Sequence, residues 1–116
     1  MVRCRLISAV KRLLFAAGLA LFFSHLVTCL WLLFAKLYDE SADTWIVRKG
    51  IKDRSNTFQY LMGFYWTAQT VTTVGFGDIP AVTELEIALA LIWMILGVGF
   101  YSYVIGNFSS MIASID

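Results

Sequence analysis

Residues Thr72-Thr73-Val74-Gly75-Phe76-Gly77-Asp78 set two glycines at alternate positions behind a pair of threonines. Glycine reaches φ values closed to other residues, so such a stretch can stay extended with consecutive carbonyls aimed at one axis. A ring of those oxygens can replace the water shell of a monovalent cation, which is the chemistry needed to admit K⁺ and reject Na⁺. On this reading the carbonyls of Thr73, Val74, Gly75 and Phe76 hold K⁺, and the Thr73 hydroxyl joins them at the inner end. Gly77 completes the run, while the Val74 and Phe76 side chains point away and pack behind it. One strand supplies a quarter of a ring, so three further copies of the chain around the axis belong to the expected mechanism. A lone Gly-Phe-Gly is usually a turn; the longer string is far more specific.

The elements that must position this stretch are written in the hydropathy. The chain has 116 residues, 59% hydrophobic and only 15% charged, with a mean hydropathy of +0.75. A soluble domain this small would leave much of that apolar surface wet. Residues 13–35 and 87–115 carry no Asp, Glu, Lys or Arg for 23 and 29 positions. Each exceeds the roughly 20 residues a membrane-spanning helix needs, and the first is too long for a signal peptide. Residues 55–77 are also uncharged but hold Ser55, Asn56, Thr57, Gln59, Thr67, Gln69, Thr70, Thr72 and Thr73 before the glycines. Non-helical backbone at membrane depth survives only when surrounded by protein or a water-filled path. The expected fold is therefore an all-α membrane protein: two transmembrane helices, a re-entrant helix and loop between them, and fourfold assembly.

In chain order the expectations are a basic lead-in at 1–12, an outer helix at 13–37 and a turret at 38–54. A re-entrant helix at 56–71, the carbonyl segment at 72–78 and an inner helix at 83–115 follow. Leu6, Ile7, Val10 and Leu13 recur at helical spacing, so the lead-in either lies along the membrane surface before turning into the outer helix or frays. Trp45-Ile46-Val47 is expected to pack on the membrane surface or a neighbour. Asn56 with Gln59 three residues on reads as the N-cap of the third helix, and Thr83-Glu84-Leu85-Glu86 has capping-box spacing. Pro80 blocks an immediate return to helix. The C-terminal end of the 56–71 helix would turn its partial negative charge toward the cation path.

Two spans put both termini on one side. Arg3, Arg5, Lys11 and Arg12 at the start are matched by Lys36, Arg48, Lys49, Lys52 and Arg54 in the loop, so the charge count leaves orientation open. Cys4 and Cys29 are expected to stay reduced, and a single His with two Cys leaves no zinc site. With no nucleophile–base pair, phosphate loop or basic nucleic-acid surface, neither an enzyme nor a nucleic-acid binder is indicated, and no cofactor beyond bound K⁺.

Residues 70–78, Thr-Val-Thr-Thr-Val-Gly-Phe-Gly-Asp, resemble the potassium-channel signature. The resemblance implies a filter facing outward, an extracellular turret, both termini in the cytoplasm and a multi-pass plasma-membrane protein. Many potassium channels have Tyr where this chain has Phe76, and that hydroxyl braces the filter. Here Tyr65 and Trp66 match the aromatic cuff, and Gln69 stands where some relatives carry an acid, within reach of Asp78. A less rigid filter and slow inactivation would follow. His25, Cys29 and Trp31 are similar to a pattern of the cyclic-nucleotide-binding-domain channels (ether-à-go-go, hyperpolarisation-activated and cyclic-nucleotide-gated). Tyr60 with Tyr65-Trp66, and residues 102–107, are similar to the same group, so the matches cover most of 13–115. That group implies a flanking voltage sensor and a domain for cyclic nucleotide, neither of which is in this stretch. By itself His25 reads as a satisfied interior histidine ahead of a proton sensor.

In the last helix Gly97 and Gly99 mark either a bending point or close packing against the re-entrant helix. Tyr101 and Ile105, continued by Ser109 and Ile112, share a face. Tyr101 and Ile105 match cavity-lining positions by resemblance, and rings at Ile105 and Ile112 are expected to close the cytoplasmic entrance by dewetting. Asn107 is expected to bond a neighbouring helix. Three other readings stay open: a complete two-span channel rather than a module of a larger subunit, a nonselective cation pore, and a hairpin that conducts nothing.

Overall fold

The computed structural model describes residues 2–39 and 41–113, and these are helix and loop throughout. Four helices follow in order: α1 Val2–Lys36, α2 Trp45–Lys49, α3 Asn56–Val71 and α4 Glu84–Ala113. The molecule measures 62 × 24 × 19 Å, with α1 and α4 packed together and α3 against both. Both long helices are apolar and long enough to cross a membrane. At 1.5 Å per residue the uncharged stretch 13–35 is about 35 Å long, enough for a hydrocarbon core of about 30 Å. Large side chains such as Leu14, Phe15, Leu21 and Ile95 stand exposed along both helices.

Two expectations about boundaries are corrected. No turn separates the lead-in from the outer helix, because α1 runs unbroken through positions 12 and 13. Neither Gly nor Pro interrupts that junction, and Lys, Arg, Leu and Ala all propagate helix well. The cap of α3 is Ser55, whose hydroxyl accepts the Phe58 N–H at 3.2 Å, so Asn56 is already the first helical residue. Gln59 closes no capping box; its amide donates to the carbonyls of Ile51 and Lys52. The turret contains a short helix, α2, capped by Thr44 and ended by Gly50 at φ 75°. Residues 114 and 115 of the expected inner helix lie outside the described residues.

What joins these elements is a stack of three indoles. Trp31 of α1 lies 3.7 Å from Trp66 of α3, ring to ring and 2° from parallel, and 5.5 Å from Trp45 of α2. Trp31 and Trp45 are completely buried. Full overlap is not the arrangement ring quadrupoles favour, so buried area and surrounding packing hold it. Trp45 and Ile46 thus pack inside their own chain rather than on the membrane surface. Trp45 Nε1 donates to the Trp31 carbonyl at 3.1 Å.

Glu86 secures the other end of the turret. The capping box forms as its spacing predicts: the Thr83 hydroxyl accepts the Glu86 N–H at 3.2 Å, and the carboxylate accepts the Thr83 N–H at 3.3 Å. The buried carboxylate also takes the N–H groups of Val82 and Trp45, tying the start of α2 to the start of α4.

Deeper in the bundle, Gly63 faces Thr28, and the hydroxyls of Thr28 and Thr67 meet at 3.0 Å between α1 and α3. The two glycines of α4 separate cleanly. A Cβ on Gly97 would sit 3.1 Å from the Val71 Cα, whereas one on Gly99 would meet nothing within 4 Å. Close packing explains Gly97, and α4 is helical through both positions. Backbone cannot swing aside as a side-chain tip can, so Gly97→Ala is expected to destabilise the fold by about 1–3 kcal/mol. Gly99→Ala should be neutral or slightly stabilising, since Ala is the better helix former by about 1 kcal/mol. Thermal unfolding of the two variants checks this; equal shifts would contradict it.

Candidate functional site

The chain leaves α3 at Thr72, whose N–H still bonds the Ala68 carbonyl. Left-handed backbone then appears at every second residue: Thr73 at φ 65°, Gly75 at 59° and Gly77 at 80°. The glycines take this conformation freely. Thr73 does not, because a β-branched residue there carries strain of about 1–3 kcal/mol, which persists only where the surroundings enforce it.

Those surroundings are the hydrogen bonds. Val74 and Gly75 both donate their N–H to the Gln69 carbonyl, at 2.9 and 3.1 Å. The Phe76 N–H donates to the Gln69 side-chain oxygen at 2.7 Å. Three successive N–H groups therefore point back at one residue of α3. In a trans peptide the carbonyl of the preceding residue points the opposite way, and no cis bond occurs among the described residues. Hence the carbonyls of Thr73, Val74 and Gly75 turn away from α3 together. The Gly77 N–H has no partner among the described residues, so nothing equivalent orients the Phe76 carbonyl. The Thr73 hydroxyl likewise makes no hydrogen bond there and is a free acceptor.

Asp78 closes the segment. It accepts from the Tyr65 hydroxyl and from the Gln69 amide, each at 2.9 Å. Gln69 thus receives a backbone N–H through its oxygen and holds Asp78 through its nitrogen. The Gln69 bond first, and the Tyr65 bond second, hold the Asp78 carboxyl below its ordinary range. A carboxyl whose folded pKa is depressed stabilises the fold fully above its unfolded value, about 3.9, and stops doing so as pH falls through the lowered value. The difference in thermal stability between this chain and its Asp78→Asn variant should therefore be flat from neutrality to about pH 5, begin to shrink near pH 4 and be lost only below the lowered folded value. A difference that disappears near pH 6 would contradict it.

Trp66 is buried in the indole stack on the α1 side, and the side-chain bonds that reach the segment come from Tyr65 and Gln69. Val74 and Phe76 do not pack behind the segment within their own chain, being 54% and 70% exposed.

Further along, Tyr101, Ile105, Ser109 and Ile112 form an exposed stripe on α4. Asn107 bonds the Tyr103 carbonyl of its own helix at 3.2 Å rather than a neighbour. His25 meets the Tyr60 hydroxyl at 2.6 Å, a satisfied partnership between α1 and α3. Sequence reasoning missed the second role of Gln69, the Glu86 clamp and the indole stack. A buried Glu at the third position of a capping box was the one available signal; the stack joins three elements and has no period.

Comparison with known proteins places this geometry. Residues 26–114 match a family described as ion channel. Among curated proteins the chain is 33% identical over 103 residues to potassium channel KAT6 of Oryza sativa subsp. japonica, covering 87% of this chain and 17% of the relative. Potassium channel KAT3 of Arabidopsis thaliana is 34% identical over 94 residues, 79% of this chain and 14% of the relative. Potassium channel AKT2 of Oryza sativa subsp. japonica is 32% identical over 97 residues, 82% of this chain and 11% of the relative. The chain spans less than a fifth of the length of these relatives.

Proposed function

We propose, from the premise that this chain belongs to the ion channel family, that it forms a K⁺-selective pore and is the pore module of a larger subunit. The observation that carries the reading is the bonding of three successive N–H groups, from Val74, Gly75 and Phe76, to Gln69. It turns the Thr73, Val74 and Gly75 carbonyls the same way, the first two through the Gln69 backbone carbonyl and the third through the Gln69 side chain, as a desolvated cation requires. Four copies complete each oxygen ring. Fourfold assembly also gives the exposed Val74 and Phe76 a neighbour to pack on. In this arrangement α3 enters the membrane and returns as the 72–78 segment. Its last turn, rich in carbonyls, faces the cavity and favours a cation there.

K⁺ is the cargo. It sheds water for the carbonyls of Thr73, Val74, Gly75 and Phe76 and for the Thr73 hydroxyl, and ions in adjacent sites push one another onward. Nothing in this mechanism calls for a cofactor, and the family is one of transport rather than catalysis. The relatives named above are potassium channels, which favours K⁺ over a nonselective reading. Their greater length favours a subunit with flanking regions, where voltage sensing and a cyclic-nucleotide domain would reside. An outward-facing 72–78 segment puts both termini in the cytoplasm of a plasma-membrane protein. The exposed Ile105 and Ile112 would then ring the inner entrance as an apolar gate.

Purified chain in planar bilayers tests the whole. Its reversal potential should move by about 59 mV per tenfold K⁺ gradient in constant Na⁺, and its native mass should equal four copies. A reversal potential that ignores the K⁺ gradient would overturn selectivity. For the gate, Ile105→Ala and Ile112→Ala should raise closed-state leak; unchanged leak in both would remove them from it.

A further inference from the structure

Midway along α4, Trp93 is buried and donates its Nε1–H to the Thr67 carbonyl of α3 at 3.0 Å. Thr67 is completely buried, and its hydroxyl lies 3.0 Å from that of Thr28, so α1 and α4 grip the same residue of α3. One turn further on, Gly97 lets α4 approach the Val71 backbone. Trp93 and Gly97 are four apart on α4, as Thr67 and Val71 are on α3, so the two contacts form one seam.

Gln69 lies between those two contacts. Its carbonyl takes the Val74 and Gly75 N–H groups, and its side chain takes the Phe76 N–H. A slide of α3 along α4 would carry both acceptor atoms with it, and so turn the carbonyls they orient. We propose that Trp93 is a positioning residue for the 72–78 segment: its indole N–H fixes the end of α3 in register with α4, and thereby sets where Gln69 presents its acceptors.

Shape alone does not hold this register. Beside Trp93 the helices leave an apolar pocket of about 200 Å³, lined by Ala20, Phe23, Val71, Leu96 and Phe100. A ring with open space along one side has no packing partner there, whereas an N–H···O bond fixes distance and direction. Gly97 permits close approach but has no side chain to interlock with α3. The hydrogen bond is therefore the directional part of the seam. Its effect on ion selectivity rests on the proposed pore; the positioning itself does not.

Incorporating benzothienylalanine at position 93 tests the bond by itself, since it keeps the bicyclic shape and puts sulfur where the N–H stands. Hydrogen exchange in the purified chain reads the segment without any current. Exchange at the Val74, Gly75 and Phe76 amides should quicken at least about threefold, in keeping with the loss of one buried hydrogen bond. Ile46→Ala, a truncation of a buried side chain in α2, should lower the thermal midpoint at least as far and leave those amides unchanged. In planar bilayers the ratio of K⁺ to Na⁺ permeability should fall at least about threefold with benzothienylalanine and stay unchanged in Ile46→Ala. Unchanged exchange, or an unchanged ratio in a chain that is K⁺-selective, would overturn the proposal. Equal quickening in Ile46→Ala would overturn it too, because general loosening would then explain the effect. Quickened exchange in a chain whose own reversal potential ignores the K⁺ gradient would support the positioning role and overturn the pore instead.

Discussion

Gln69→Ala is expected to abolish discrimination between K⁺ and Na⁺. The substitution leaves the α3 backbone in place, so the Val74 and Gly75 N–H groups keep their acceptor. It removes the side-chain oxygen that takes the Phe76 N–H at 2.7 Å and the amide that holds Asp78. An unsatisfied, partly buried N–H costs about 1–3 kcal/mol, and 1.4 kcal/mol is tenfold in an equilibrium. The Gly75 peptide would then be free to rotate, taking its carbonyl off the axis of the proposed four-copy pore. The ratio of K⁺ to Na⁺ permeability should fall at least about tenfold, read from reversal potentials in bi-ionic solutions. Gln69→Glu separates the two roles, because it keeps the acceptor but sets a second carboxylate against Asp78. That like charge raises the pKa of the new carboxyl, so selectivity should recover on acidification as it regains a proton to donate. An unchanged reversal potential in Gln69→Ala would remove Gln69 from the mechanism.

The largest effect on stability is expected at Trp31. Its ring is fully buried between Trp45 and Trp66, so Trp31→Ala opens a cavity at the meeting point of α1, α2 and α3. Truncations of this kind cost roughly 3–5 kcal/mol. Trp31→Phe should cost far less. It keeps an aromatic ring in the stack and deletes the Trp31 Nε1–H, a buried donor without a partner among the described residues. Such orphans carry a penalty of about 1–3 kcal/mol, which offsets part of the lost area. Thermal unfolding of the purified chain should rank the variants with Trp31→Ala lowest by a wide margin. Equal loss in both would show that the full indole, not an aromatic ring alone, is what the fold needs.

Much of the candidate site was legible before any coordinates because its constraints are local. Gly75 and Gly77 announce positive φ by residue type alone. Thr83 and Glu86 announce a helix start by spacing, and the facing of Gln69 toward Asp78 needed only the resemblance. Less was legible where a residue's partner is far along the chain. Trp66 sits beside Tyr65 in sequence, yet the two diverge: one turns to α1 and the other to Asp78. Gly97 and Gly99 look alike in sequence, and only the approach of Val71 distinguishes them. Ser55 and Asn56 are both good caps, and the choice between them lies within the ordinary uncertainty of a helix end.

Composition and spacing by themselves determined two membrane-length helices, a polar third helix between them and a backbone segment with positive φ available at Gly75 and Gly77. Those properties follow from each residue's own hydropathy and conformational range. Tertiary structure decided what holds that segment in shape. Three N–H groups converge on Gln69, which orients the Thr73, Val74 and Gly75 carbonyls. Three indoles from three elements form one stack, and Gly97 makes close contact with Val71. Each of these depends on distances between residues remote in sequence or on which way a side chain turns, and neither is encoded in any local pattern.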